Sequence, residues 1–298
     1  MIISASRRTD IPAFYSDWFF ERIREGRVLV RNPMRFHNLS EIDLSPGAVD
    51  AIVFWTKNPT PMLDRLGLLS EYRFCFQFTL NSYGDDIETN LVSKNRLVPV
   101  FRRLSELTSP ERVIWRYDPI FLTPKYSVGW HLEYFGRLAS LLSGYTKRCT
   151  ISFLDLYKNT EKNLASAGLL PMSLDDVRLI ARGISEIARE NGMSVFTCAE
   201  EYDLDEFGIA HGSCVGAELI EGLTGKKFPA RKDRYQRGGC LCVESVDIGA
   251  YNTCENGCKY CYANYSPWQI GRNRAAGDTK SPLITGNVTP EDIIRKRG

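Results

Sequence analysis

Six short runs of β-branched and aromatic residues recur along the first two hundred positions, separated by segments long enough to hold a helix. They are Ile2 to Ala5, Ala51 to Trp55, Phe74 to Thr79, Val113 to Tyr117, Thr150 to Phe153 and Ser194 to Thr197. Strands that alternate with helices must pair in parallel, because each return to the same sheet edge needs a crossover. That leaves an open doubly wound sheet or a barrel, complete or partial. No glycine-rich phosphate fingerprint follows any run, so the expectation is an α/β chain built on a partial (β/α)6 TIM-like barrel.

The clearest helix between strands is SLDDVRLIARGISEIARENG. Ser173 and Asp176 form a capping box, Val177, Ile180, Ile184 and Ile187 recur on one face, and Gly192 can stop the helix in the left-handed conformation. Two more helices are expected, from about Thr89 to Leu107 and from Ser127 to Leu142.

In such folds the chemistry sits where the loops converge, at the carboxyl ends of the strands. Those ends read SRRTD, TKNP, LNSYGDD, RYDP, LDLYKNT and CAEEYD, so Arg7, Arg8, Lys57, Asn58, Arg116, Asp118, Lys158, Asn159 and Glu200 are candidates to surround one pocket. Turns are polar in any case, so the group carries the argument rather than any one member.

After residue 200 the periodicity fades, and residues 201–298 are expected to be a cysteine-rich, cluster-binding extension packed on a barrel of residues 1–200. A basic stretch holds Lys226, Lys227, Arg231, Lys232, Arg234 and Arg237, either a solvated loop or a nucleic-acid contact. The final TPEDIIRKRG suggests a short helix capped by Thr289. With 38 Lys+Arg against 36 Asp+Glu there is no broad electrostatic footprint for a polyanion. An opening run of three apolar residues is too short for a signal or a membrane span, so a cytoplasmic location is the default.

Nine cysteines are an odd set for a disulfide scaffold, and clustering in a reducing compartment points to metal. Cys254, Cys258 and Cys261 are spaced so that one loop can aim three thiolates at a point, with Gly257 permitting the turn. Structural zinc takes four ligands, whereas three leave one metal position open for chemistry. A zinc knot completed by Cys240 or Cys242 is the competing reading. Cys198, Cys214, Cys240 and Cys242 are candidates for a second metal site, iron–sulfur or zinc, or for free thiols; Cys75 and Cys149 look like core residues, and His211 like an ordinary packed or surface histidine.

The C-x3-C-x2-C spacing with Tyr260 before the last cysteine resembles the signature of radical S-adenosylmethionine (radical SAM) enzymes. The YCYAN continuation, with TKN and RYDP, is similar to the spore photoproduct lyase branch, and the whole chain resembles an uncharacterised bacterial family of that superfamily. The resemblance implies that Cys254, Cys258 and Cys261 hold a [4Fe-4S] cluster whose open iron binds S-adenosylmethionine. It implies reductive cleavage to a 5′-deoxyadenosyl radical, a reductase, flavodoxin or ferredoxin as electron donor, and a substrate that includes nucleic acid among its candidates. Lys57, Asn58, Arg116 and Asp118 are assigned to cofactor binding by strand-end location and charge. The superfamily carries its triplet after the first strand, here after the last, and first and last strands of a barrel can be neighbours. The alternative is a zinc-stabilised nucleic-acid-binding protein without radical chemistry.

Overall fold

A computed structural model describes residues 1–228, 231–234, 236 and 239–297. Arg237 of the basic stretch lies outside the described residues. Among these residues eight strands form one parallel sheet. Numbered along the chain they are β1 (Ile2–Ala5), β4 (Ala51–Thr56), β5 (Phe74–Thr79), β6 (Val113–Ile120), β7 (Arg148–Phe153), β8 (Ser194–Cys198), β9 (Ala210–Gly212) and β10 (Val246–Asp247). A second sheet holds β2 (Arg27–Arg31), β3 (Asn38–Asp43) and β11 (Ile293–Arg297).

All six expected strands form. Two more, β9 and β10, extend the sheet to eight; both are too short to show periodicity, and both lie beyond residue 200. The spatial order is β10-β1-β4-β5-β6-β7-β8-β9, so β9 and β10 are edges and the sheet is not closed.

The helices are α1 (Ile11–Phe14), α2 (Ser16–Glu25), α3 (Lys94–Leu107), α4 (Val128–Leu142), α5 (Lys158–Leu164), α6 (Leu174–Glu190), α7 (Ala217–Thr224) and α8 (Pro267–Ala275). Ser173 caps α6 through the expected box with Asp176, and Gly192 sits at φ +72°. Ser127 caps α4. The segment from Thr89 starts as helix only at Lys94, because the backbone of Glu88 and Asn90 is taken by the cysteine loop: Glu88 bridges Cys258, and Asn90 N–H donates to the Asn256 carbonyl.

Alternation along each strand sorts the side chains between two faces. Phe54, Phe76, Trp115 and Ile151 pack with Phe101 of α3, Phe135 of α4 and Ile180 of α6. The opposite face presents Ile2, Ala51, Val53, Cys75 and Ile114 to Ile220 of α7 and to four further cysteines. Both faces are covered, which is why these strands are nearly continuous apolar runs.

The C-terminal segment corrects an expectation: Ile293–Arg297 is a strand, not part of a helix. Thr289 and Asp292 close only one turn, with Thr289 N–H donating to the Asp292 carboxylate at 2.8 Å, and Arg31 grips that carboxylate at 2.5 and 2.8 Å. The β-branched pair Ile293 and Ile294 then runs parallel to β3. Among the described residues no helix is long and apolar enough to cross a membrane.

Candidate metal and cofactor site

Strand β10 pairs with β1, and the loop that leaves it, residues 251–265, carries Cys254, Cys258 and Cys261 over the carboxyl edge of the sheet. Asn264 organises the loop from within. Its Oδ1 accepts from the N–H groups of Thr253 and Cys254 at 2.8 and 2.9 Å, and its Nδ2 donates to the Arg8 carbonyl at 2.9 Å and to Cys261 Sγ at 3.6 Å. Gly257 turns at φ +67°, where a Cβ would stand 2.9 Å from Asn90 Nδ2. Asn256 donates to Asp10 at 3.1 Å, and Tyr15 to the Thr253 carbonyl at 2.8 Å.

Beside Cys258 lies a buried charge network. Lys57 Nζ donates to Glu88 Oε1 and to Tyr260 Oη, both at 2.7 Å. Lys94 binds the other Glu88 oxygen, the Tyr260 hydroxyl donates to Glu88, and Asn81 Nδ2 reaches Tyr260 Oη at 3.2 Å. Burial alone would raise the Glu88 carboxyl, but the ammonium groups of Lys57 and Lys94 hold it down at about 2. Burial pushes the Cys258 thiol up to about 12 against the pull of Lys57, and raises Cys254 as well.

Four of the other six cysteines form a separate set on the inner face of the sheet. Cys198 ends β8, Cys214 follows β9, and Cys240 and Cys242 precede β10. All four are buried. Cys198 Sγ and Cys214 Sγ are 2.8 Å apart, and Arg116 Nη1 donates to Cys214 Sγ at 2.8 Å. Arg116 is held by Asp118 at 2.5 and 3.0 Å, and Asp118 in turn by Ser152. Cys240 and Cys242 are thus drawn to Cys198 and Cys214 and not to the triplet. Among the described residues no three Cys, His, Asp or Glu side chains stand as a preformed metal shell.

The expected site residues therefore divide. Lys57 stands at the triplet, whereas Arg116 and Asp118 face the second thiol set, linked to Tyr260 through Asn81, whose Nδ2 donates to the Asp118 carbonyl at 2.8 Å. Asn58 accepts from Thr60 and starts the short helix Thr60–Leu69. Arg7 lies over Trp55, its ring centroid 4.9 Å away, and Arg8 over Tyr251. Glu200 accepts from Phe153 N–H at 2.7 Å, and burial raises its carboxyl to about 8. Lys158 and Asn159 are exposed at the start of α5. His211 meets Thr197 at the sheet edge, and Lys226, Lys227, Arg231 and Arg234 are exposed. Of the tyrosines flanking the loop only Tyr260 turns inward, packing on Tyr83 and Phe121, while Tyr251 and Tyr262 stay exposed.

Sequence reading missed Glu88, Lys94, Asp10 and Asp247. The Asp247 carboxylate gathers the start of the first loop, accepting from Ser4 at 2.9 Å, Ser6 at 2.6 Å and the Arg7 N–H at 2.8 Å. Its position in the two-residue β10 gave no signal; Glu88 lies two residues beyond a strand-end run that was already suspect.

Do the residues present fit an iron–sulfur cluster? The donor set does: three thiols stand on one loop, an Asn264 N–H is aimed at the Cys261 sulfur, and Cys254 and Cys258, whose protons burial retains, would give them up to a cationic metal centre.

No curated protein matches the chain. Among solved structures, a candidate alpha-L-fucosidase from Bacteroides thetaiotaomicron VPI-5482 is similar at 12% identity and a TM-score of 0.27, covering 77% of this chain and 81% of that one. So distant a likeness carries no argument about either fold or function. Residues 2–263, a span that includes all three cysteines of the loop, match the model of a family described as Domain of unknown function (DUF1848), and the chain belongs to that family.

Proposed function

We propose that this protein is a radical SAM enzyme in which Cys254, Cys258 and Cys261 hold a [4Fe-4S] cluster with one iron open to S-adenosylmethionine. The observation that carries the reading is the pairing of β10 with β1, which brings a three-thiol loop from the far end of the chain to the edge of the first strand. In this reading the open sheet is an incomplete barrel with its mouth at that edge, and the site is a circular rearrangement of the arrangement it resembles.

When bound, the cluster supplies the electron that cleaves the cofactor's sulfonium to methionine and a 5′-deoxyadenosyl radical. The chain's own residues bind, orient and shield. Asn264 and Gly257 set the loop's path, and Asn256 ties it to Asp10, which also accepts from the Lys57 N–H at 2.8 Å. Lys57 offers a fixed positive charge beside Cys258, and the Tyr260 ring seals the inner side against Tyr83 and Phe121. A flavodoxin, ferredoxin or reductase as electron donor and a cytoplasmic location belong to the same proposal.

The test is anaerobic reconstitution with iron and sulfide, followed by electron paramagnetic resonance of the reduced protein with and without S-adenosylmethionine. About four irons bound through the triplet, and a signal that changes with the cofactor, are expected. Cys258→Ala should abolish both the signal and cofactor cleavage while far-ultraviolet circular dichroism stays unchanged. Zinc in place of iron at the triplet, with no response to the cofactor, overturns the proposal.

A further inference from the structure

The main sheet stops short of closing on itself, and the second set of thiols lies at that seam. Cys198 and Cys214 come from the β8–β9 edge, and Cys240 and Cys242 from the segment that leads into β10, the opposite edge. Val243 N–H donates to the Val215 carbonyl at 2.9 Å, and Val215 N–H to Cys242 Sγ at 3.4 Å.

We infer that Cys198, Cys214, Cys240 and Cys242 are the four ligands of a tetrahedral zinc ion that clasps the two edges of the sheet. The ligand number is the first argument, because four thiolates close a metal's coordination and three do not. Compactness is the second. Cys198 Sγ and Cys214 Sγ are already 2.8 Å apart, Cys214 lies against Cys242, and Cys242 against Cys240. Four sulfurs on one zinc stand about 3.8 Å apart, given bonds of about 2.3 Å, so Cys198 and Cys214 would open by about 1 Å to take the ion between them. A cubane attaches its cysteines to different irons and needs them farther apart.

Charge is the third argument. Four thiolates around a divalent ion leave a net charge of about −2. Arg116 donates to Cys214, Arg7 lies beside Cys242 and Cys214, and Arg148 lies beside Cys214 and Cys198. Among the described residues Arg7 Nη2 is buried with no well-formed hydrogen bond, and it lies beside the Cys242 sulfur, which as a metal-bound thiolate would satisfy it. The N–H of Val215 on Cys242 and the guanidinium of Arg116 on Cys214 are the outer contacts that orient such ligands. The role is structural: β10 has two residues and one strand neighbour, yet it launches the triplet loop, and the clasp fixes it from the other side.

The experiment uses the full chain carrying Cys254→Ala, Cys258→Ala and Cys261→Ala, produced with both iron and zinc in the medium. Mass-spectrometric metal analysis should find about one zinc per chain, and adding Cys214→Ser with Cys242→Ser should remove it, whereas Cys75→Ser on the same face should not. Cobalt(II) loaded into the chain with all four thiols intact should show the intense long-wavelength bands of a tetrahedral tetrathiolate, a readout that does not depend on the serine variants folding. No zinc in the triplet-less chain, or iron with sulfide that is lost with Cys214 and Cys242, overturns the clasp. Iron at the triplet without zinc here refutes the clasp alone; zinc here without iron at the triplet refutes the radical reading alone.

Discussion

Lys57 and Glu88 meet at 2.7 Å with only 11% and 1% of their side chains exposed, and Lys94 closes on the second carboxylate oxygen. One carboxylate thus balances two ammonium groups next to Cys258. Breaking a buried pair by removing one partner leaves charge without compensation and costs about 3–5 kcal/mol. Glu88→Gln should therefore lower the stability of the metal-free chain by that order, read from its urea midpoint. A loss below about 1 kcal/mol would mean that water reaches the two lysines.

His131 gives a pH dependence with a definite sign. It is fully buried, with Nε2 2.9 Å from the Phe121 carbonyl and Nδ1 2.9 Å from the Tyr117 hydroxyl. The carbonyl can only accept, so Nε2 carries a proton. Burial lowers its pKa from 6.5 to about 4. Between those values the unfolded chain takes up a proton that the folded chain does not, so stability is fully present above about 6.5 and falls as the pH drops toward 4. The drop is about 3 kcal/mol, from about 1.4 kcal/mol per pKa unit. His131→Gln should flatten that part of a stability profile measured from pH 7 to pH 4; an unchanged slope would assign the loss to other groups.

The sheet was legible because its strands are buried on both faces and announce themselves as apolar runs, with Phe74–Thr79 and Ile2–Ala5 bounded at the residues expected. β9 and β10 were not, because three and two residues carry no period and exist only through their neighbours. The tail failed for a different reason: Thr289 and Pro290 are sound helix-start signals, but Ile293 and Ile294 find the free edge of β3, a partner that local sequence cannot reveal. At the site, the three-cysteine loop and Lys57 were readable from spacing and strand-end position. Arg116 and Asp118 also lie at a strand end, but alternation turns them to the inner face, and only the fold shows that Cys214 waits there. Glu88 and Lys94 escaped notice because a carboxylate and an amine on a loop and a helix start look like solvated surface until the cysteine loop covers them.

Gly257 tests whether the path of the loop matters. Its φ of +67° disfavours any side chain, and a Cβ would meet Asn90 Nδ2 at 2.9 Å, a group already committed to the Glu255 carbonyl. Gly257→Ala should cost about 1–3 kcal/mol and displace Cys258 from its neighbours. Iron uptake during reconstitution should fall while the circular dichroism of the sheet is retained. Full iron loading in this variant would show that the loop tolerates a different turn.

Tyr260 separates holding a metal from orienting what surrounds it. Its hydroxyl accepts from Lys57 at 2.7 Å and from Asn81 at 3.2 Å and donates to Glu88, while its ring rests on Tyr83 and Phe121. Tyr260→Phe keeps the ring packing and removes the shared oxygen, leaving one donor each on Lys57 and Asn81 to be satisfied elsewhere, at a cost of about 1–3 kcal/mol. The hydroxyl lies against the Cys258 thiol but is not one of the three thiols that hold the metal in this reading, so iron content should match the wild type. Lys57, no longer held from two sides, should position its charge less well, so reductive cleavage of S-adenosylmethionine should slow while the thiols still hold iron. Loss of iron in Tyr260→Phe would instead make this tyrosine part of what builds the thiol site, and an unchanged cleavage rate would remove Lys57 from any role in orienting the cofactor.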